Sequence, residues 1–184
     1  MGRRSDGAAA CGGEGLRPPH RRGTWNRRLP SPPFSVVLVE PEIPPNTGHI
    51  ARLCAATGTP LHLIEPLGFR LTDRALRRAG LDYWDAVDLR RHPSFDAFIA
   101  TARPERLFVF TVASDRVHTD VRYHPGDALV FGSESRGLPP DLLARARPEQ
   151  VLAIPMKDPR VRSLNLADAV AIALYEALRQ VAAG

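Results

Sequence analysis

The sequence predicts an α/β domain with a mostly parallel sheet and helices on both of its faces. Short apolar runs alternate along the chain with segments of helical periodicity, as they do in βαβ units. Strands of a parallel sheet are buried on both faces and therefore read as apolar runs. With 184 residues, the chain is long enough for one such domain, whose core needs no disulfide or metal.

Six strands and five helices follow in order from these patterns. The predicted strands are residues 34–40, 61–65, 86–89, 107–111, 128–131 and 150–154. The predicted helices are, to within a few residues, 46–57, 72–79, 94–102, 139–146 and 164–181. No internal repeat or linker interrupts this region.

The first helix is flanked by residues typical of helix ends. Pro44 and Pro45 are expected to end the extended segment that precedes the helix. Asn46 or Thr47 is expected to cap the helix, and Gly58 to close it.

Helical periodicity also places Arg52. One helix face collects the apolar residues at i, i+3 and i+4 and a threonine at i+7: Ile50, Leu53, Cys54 and Thr57. Arg52 projects about 200° from Ile50, away from this face, at the 100° per residue of an α-helix. Spacing alone therefore favours a solvated surface arginine.

The last helix is apolar on two sides. Its first side consists of Leu166, Val170, Ala173, Leu174, Ala177 and Val181. Its second side consists of Ala167, Ala171, Ile172 and Tyr175. Such a helix packs on two surfaces, of which one is its own sheet. The other is a second subunit or, alternatively, a deeper part of the same core.

The net charge of +5 belongs to the N-terminal segment 1–33, which holds seven arginines and two acidic residues. Residues 34–184 carry 18 basic and 18 acidic residues, so the net charge of the domain says nothing about its partners, and any argument for nucleic-acid binding must rest on local clusters. We interpret 1–33, rich in Gly, Pro and Arg, as a disordered tail and 34–184 as the folded domain. The tail has no function or is a basic arm that helps to hold RNA. A transit peptide is less favoured, because serines are few and no amphipathic pattern is present.

Several classes of protein and site lose their support. No apolar run reaches the roughly 18 residues of a membrane helix, and Cys11 and Cys54 form no disulfide or zinc pattern, which fits the reduced cytoplasm. The GxGxxG, GxxxxGK[ST] and GxSxG motifs are absent. The five histidines of residues 34–184 lack the paired spacing of metal ligands: His49, His62, His92, His118 and His124. We therefore expect that the protein binds neither a membrane nor a metal ion.

Three polar segments follow predicted strands, at residues 40–52, 131–139 and 154–165. In an open parallel sheet, ligands bind beyond the carboxyl ends of the strands, so these segments are expected to form one site. Gly132 and Gly137 are expected to let the backbone approach a ligand closely.

At these segments the chain resembles a known family. EPEIPPNTG, RLCAATG, IEPLGF, LRRAGLDYW, FGSESRGLP, IPM and SLNLADAVAIALYEA match, in register over about 150 residues from Phe34, the SPOUT (SpoU-type) RNA methyltransferase superfamily, and within it the TrmL-like enzymes. His49 departs from the expected Asn, and Ser133-Glu134-Ser135 from the commoner Pro-Glu-Thr. The segment 157–162 also varies.

The resemblance implies a C-terminal trefoil knot, a homodimer with the first and last helices at its interface, and S-adenosyl-L-methionine as cofactor. It assigns the cofactor contacts to Phe110, Thr111, Gly132, Glu134, Gly137, Ile154, Met156, Ser163 and Leu164. An apolar slot with backbone hydrogen bonds suits the adenine, so few charged residues are needed.

The reaction implied is methyl transfer to a ribose 2′-hydroxyl of the tRNA anticodon loop, at position 34. The family singles out Arg52 as catalytic, which outweighs the interpretation from spacing. A guanidinium resists deprotonation, so we expect Arg52 to orient the nucleotide and bind its phosphate rather than act as a base. Asn46 and Glu134 are expected to hold it, and Ser163 and Asn165 to order the third segment.

Further RNA contacts are expected from Arg70, Arg74, Arg77 and Arg78, which precede Tyr83-Trp84, because arginines bind phosphates and aromatic rings stack on bases. A solvated helix face is the alternative. Tyr175 is expected near the active site across the dimer. Two alternative functions are a ribosomal RNA 2′-O-methyltransferase, a branch that often has an added N-terminal domain, and a non-catalytic RNA-binding SPOUT protein.

Overall fold

The sheet of the computed structural model, which describes residues 34–71 and 86–183, has six strands in the order β3-β2-β1-β5-β4-β6. All of its ladders are parallel. The strands are β1 (Phe34–Val39), β2 (Leu61–Ile64), β3 (Leu89–His92), β4 (Leu107–Phe110), β5 (Asp127–Phe131) and β6 (Val151–Leu152).

Helices cover both faces of this sheet, which confirms the predicted fold class. They are α1 (Pro44–Thr57), α2 (Phe95–Ala102), α3 (Pro140–Arg145) and α4 (Leu166–Ala183), with a 3₁₀ turn at Pro148–Gln150. Alternate residues of β1 point to opposite faces, as the pleat requires. Val36 and Leu38 join a core with α1 and α4, whereas Val37 and Val39 join a core with α2 and α3.

One predicted strand boundary and one predicted helix cap are wrong for physical reasons. The third strand begins at Leu89, not at residue 86, because β3 is an edge strand paired only with β2 and tolerates exposed Arg90 and Arg91. The first helix begins at Pro44, since proline fits the first turn, whose N–H groups have no intrahelical partner. Ile43 is its N-cap, with no side-chain cap. Gly58 closes the helix with a φ of +66°, as predicted.

The helices α1 and α4, which cover the same face of the sheet, bury the sides that their apolar patterns predict. Ile50 and Cys54 are buried in α1, and Arg52 is exposed. In α4, the first apolar side is buried from Val170 to Ala177, together with Leu178, which was not assigned to it, whereas Ile172 and Tyr175 on the second side are 40% and 49% exposed. The second side is thus not sunk in this chain's own core. The predicted tail 1–33 and the predicted helix 72–79 lie outside the described residues.

Candidate active site

A cavity of about 590 Å³ lies where the strands β4, β5 and β6 end. Residues from all three predicted segments line it. All nine residues assigned to the cofactor line the cavity. Besides Glu134, they are Phe110, Thr111, Gly132, Gly137, Ile154, Met156, Ser163 and Leu164. Asn46 lines it as well. Its volume is that of an ordinary small-molecule site.

The Glu134 carboxylate joins the second segment to the first. It accepts hydrogen bonds from the backbone N–H of Glu42 at 2.8 Å and of Ile43 at 3.2 Å, and from Nδ2 of Asn46 at 2.9 Å. The first turn of α1 contains no acidic residue of its own. Glu134 therefore supplies, from another loop, the negative charge that a helix N-terminus favours.

Asn165 joins the third segment to the other two. Its Nδ2 donates to Oδ1 of Asn46 at 3.0 Å, and its own Oδ1 accepts from the N–H of Ala167 at 2.8 Å, which caps α4. The amide of Asn46 is therefore oriented, since its oxygen faces a donor and its nitrogen faces the Glu134 carboxylate. We call this series of side chains, Asn165–Asn46–Glu134, the amide–carboxylate chain.

The second segment forms a tight turn between residues 133 and 137. Ser133 and Gly137 exchange two backbone hydrogen bonds, of 3.0 and 2.9 Å, and Gly137 has a φ of +69°. A Cβ on Gly132 would lie 2.1 Å from the carbonyl carbon of Gly137. Gly132 is thus required by the turn itself, a closer constraint than the ligand approach expected from the sequence.

Two stacked aromatic rings are among the residues that line the cavity. The centroids of Phe110 and Phe131 are 4.5 Å apart, with 13° between the planes, and both residues line the cavity. They provide a flat apolar surface of the kind that an adenine ring or a thioether packs against.

Arginines and exposed apolar side chains line the cavity but were not predicted. Arg136 lies 3.1 Å from a carboxylate oxygen of Glu40 and 3.5 Å from one of Glu42. Arg162 lies in the third segment, and Ile43 and Val112 are largely exposed. Position within a predicted segment was the available signal for Arg136, Arg162 and Ile43, whereas Val112 lies just beyond the fourth predicted strand.

Arg52 and Tyr175 are not among the cavity-lining residues. Arg52 lies six residues after Asn46 on α1, about 9 Å along the helix axis at 1.5 Å per residue. Arg70 is exposed. The other predicted RNA contacts, Arg74, Arg77 and Arg78 with Tyr83-Trp84, lie outside the described residues.

The described histidines lie apart from this cavity. His62 and His92 are buried and share a hydrogen bond of 2.9 Å between ring nitrogens, beside Phe98. Burial, with His92 nearby, lowers the pKa of His62 to about 4. Within residues 34–71 and 86–183, no cluster of three His, Cys, Asp or Glu side chains is arranged to hold a metal ion. The helices in these ranges are all too short or too polar to span a bilayer.

Residues 33–175 match the model of the SpoU rRNA Methylase family. The chain belongs to this family. The predicted resemblance is thereby confirmed. A relative from Burkholderia pseudomallei (strain 1106a), named tRNA (cytidine(34)-2′-O)-methyltransferase, is 55% identical over 150 residues, which are 80% of this chain and 95% of the relative.

Solved structures of family members have the same fold. One, described as giving structural insights into the 2-OH methylation of C/U34 on tRNA, is 53% identical with a TM-score of 0.76, covering 82% of this chain and 97% of that one. Another is an AdoMet-bound rRNA methyltransferase from Sinorhizobium meliloti, which is 26% identical with a TM-score of 0.71. That match covers 84% of this chain and 59% of the other.

Proposed function

We propose that this protein methylates the ribose 2′-hydroxyl of nucleotide 34 in tRNA, with S-adenosylmethionine as the methyl donor. The near full-length match to a relative named for this reaction carries the proposal. The geometry agrees with it, because the three segments that resemble the family's motifs meet at one cavity.

The residues around the cavity suit S-adenosylmethionine. The Phe110–Phe131 stack offers an apolar surface, and the backbone of the turn 133–137 and of residues 154–164 offers donors and acceptors. When bound, the cofactor supplies a methyl group already activated on a sulfonium. The protein's own task is therefore to align the hydroxyl and to allow its proton to leave.

Arg52 serves the nucleotide in this proposal rather than the cofactor. It is exposed on α1, where a guanidinium can bind a phosphate through two parallel hydrogen bonds. Asn46 and Glu134 hold the start of the same helix, so they position Arg52 through α1. We expect Arg70, Arg74, Arg77, Arg78 and Tyr175 to extend the RNA surface.

The proposal includes a homodimer and a trefoil knot in the C-terminal half. The exposed Ile172 and Tyr175 on α4 support the dimer, because a second copy would remove an apolar side from water. The family resemblance supports the knot. We also propose that the protein acts in the cytoplasm, that 34–184 is the folded domain and that 1–33 is a tail.

Mass spectrometry of tRNA nucleosides from cells with and without the gene tests the function. The 2′-O-methyl group at position 34 should disappear with the gene and return with it. An unchanged tRNA, together with loss of a 2′-O-methyl group from ribosomal RNA, would establish the alternative substrate. No loss in either RNA, together with no binding of S-adenosylmethionine by the purified protein, would indicate a non-catalytic RNA-binding protein.

A further inference from the structure

The Glu42 side chain makes a set of contacts that the sequence analysis did not anticipate. Its carboxylate accepts hydrogen bonds from the N–H of Ser135 at 3.1 Å and from the Ser135 hydroxyl at 2.8 Å. It also lies 3.5 Å from Nε of Arg136. All of these contacts reach the tip of the turn 133–137, which lines the cavity.

The backbone of Glu42 also contacts the turn 133–137. Its N–H donates to the Glu134 carboxylate at 2.8 Å. Residues 42 and 134–135 therefore hold each other reciprocally, since each carboxylate accepts the backbone N–H of the other segment. Within the turn, the two backbone bonds between Ser133 and Gly137 fix the base, and the Ser133 hydroxyl accepts from the N–H of Arg136 at 3.3 Å. The hydrogen bonds of Glu42 and Glu134 tie the tip of the turn to the start of α1.

We propose that Glu42 is a positioning residue for methyl transfer, which holds the cavity-lining turn against the start of the helix that carries Asn46 and Arg52. The inference rests on the proposed function. Glu42 lies one residue before the N-cap of α1, so any shift at this contact changes the distance between the cofactor cavity and the nucleotide-facing helix.

The charge of Glu42 suits this role. The hydrogen bond from the Ser135 side chain is the main cause that keeps the pKa of Glu42 below its ordinary value, and the nearby Arg136 guanidinium acts in the same direction. The carboxylate is therefore ionised at neutral pH. Ionised acceptors form the stronger class of hydrogen bond, and both donors of Ser135 are satisfied only while two oxygens accept.

Four variants separate this role from a general effect on folding. Glu42→Ala removes the whole side-chain contact, and Glu42→Gln leaves only one accepting oxygen for two donors. Ser135→Ala removes the hydroxyl bond alone, and the double variant Glu42→Ala/Ser135→Ala tests whether the two residues act through one contact. Asp96→Ala is the matched control, because Asp96 is an exposed carboxylate paired with Arg145 at 2.6 Å outside the cavity lining.

Three measurements are made on the full chain: amide hydrogen exchange of residues 131–138 without cofactor, the Kd for S-adenosylmethionine by calorimetry, and kcat/KM on tRNA. In Glu42→Ala we expect faster exchange in this peptide and a Kd and kcat/KM worse by roughly three- to tenfold, as for the loss of one or two solvent-exposed charged hydrogen bonds. Glu42→Gln and Ser135→Ala should lie between this variant and the parent. The double variant should match Glu42→Ala, and Asp96→Ala should match the parent, with similar melting temperatures throughout.

Parent-like exchange and Kd in Glu42→Ala would overturn the inference, and so would effects that multiply in the double variant. If Glu42→Ala does not fold, the Ser135→Ala variant decides. Parent-like hydrogen exchange and a parent-like Kd in Ser135→Ala would then overturn the inference. Failure of the proposed function looks different: the parent itself would then not methylate tRNA, while hydrogen exchange and cofactor affinity would still show whether Glu42 holds the turn.

Discussion

Replacing Asn46 by aspartate tests the amide–carboxylate chain. In Asn46→Asp, the nitrogen that donates to Glu134 over 2.9 Å becomes a carboxylate oxygen. Asn46 is only 7% exposed, so water screens the new pair weakly. At an effective dielectric constant of about 20, two unit charges about 3 Å apart repel each other by roughly 5–6 kcal/mol. Keeping one carboxyl protonated at pH 7 costs less, about 4 kcal/mol at about 1.4 kcal/mol per pH unit.

The Asn46→Asp variant should therefore take up a proton when it folds. The pKa of the introduced carboxyl is then higher in the folded than in the unfolded state, so the folded state binds more protons between the two values. Stability must fall as the pH rises through this window, by up to about 1.4 kcal/mol per unit. Urea unfolding of parent and variant at about pH 5 and about pH 7.5 measures the difference, which should be small at the lower pH and several kcal/mol at the higher.

Asn46→Ala is the matched control for this experiment. It removes both hydrogen bonds of the side chain but adds no charge, so it should lose about 1–3 kcal/mol at both pH values. Calorimetry with S-adenosylmethionine should show weak binding by Asn46→Asp at the higher pH and recovery at the lower. The reasoning is refuted if the aspartate variant is as stable as the parent at pH 7.5, or if its deficit is the same at both pH values.

Three further predictions concern other parts of the molecule. Arg52→Ala should bind S-adenosylmethionine almost normally but lose methyl transfer, and Arg52→Lys should also be poor because an ammonium lacks the planar two-point contact; near-normal turnover by Arg52→Ala contradicts the role. Ala171→Glu, which places a charge on the second apolar side of α4, should convert a dimer to a monomer with weak tRNA binding, and light scattering of a parent that is already monomeric would disprove the interface. Because burial lowers the pKa of His62 to about 4, the unfolded state binds more protons below about pH 6.5. Stability should thus fall by up to about 3 kcal/mol as the pH drops from about 6.5 to 4, and His62→Gln should show a shallower pH dependence in urea unfolding.

The fold could be predicted because its strands bury both faces. All six predicted strands overlap observed ones, although the third does so only at Leu89, since apolar runs such as 34–40 and 128–131 leave little choice at the centre of a parallel sheet. The pattern misplaced β3, where an edge position allows the charged Arg90 and Arg91. It also assigned the wrong N-cap to α1, since Asn46 looks like a cap but lies inside the helix and bonds to Glu134 instead.

The meeting of the three segments could also be predicted, but their contacts could not. Asn46 pairs with Glu134 at 88 residues' separation and with Asn165 at 119, and no local pattern specifies such pairs. Glu42 reads as one acidic residue in a proline-rich loop, and its two bonds to Ser135 arise only when that loop meets the turn 133–137. The sequence indicates that Gly132 and Gly137 matter, but it does not show that Gly132 makes room for its own turn.

The arrangement divides the work of the site between elements that must stay in register. All three segments line the cavity, the first of them through Ile43 and Asn46, whereas Arg52 lies outside the cavity lining, further along α1. Methyl transfer needs the bound cofactor and the nucleotide to be closely aligned, and a misplacement of about 1 Å can reduce the rate roughly a hundredfold. The start of α1 is tied to the cavity through Glu134, Asn46 and Glu42. Under the proposed function, we therefore expect these residues to set the alignment, although none of them needs to touch the methyl group. Substitutions at the exposed Glu42–Ser135 contact should consequently reduce transfer more than they reduce the stability of the fold, which is the reverse of what a substitution in the core around Leu38 or Leu129 would do.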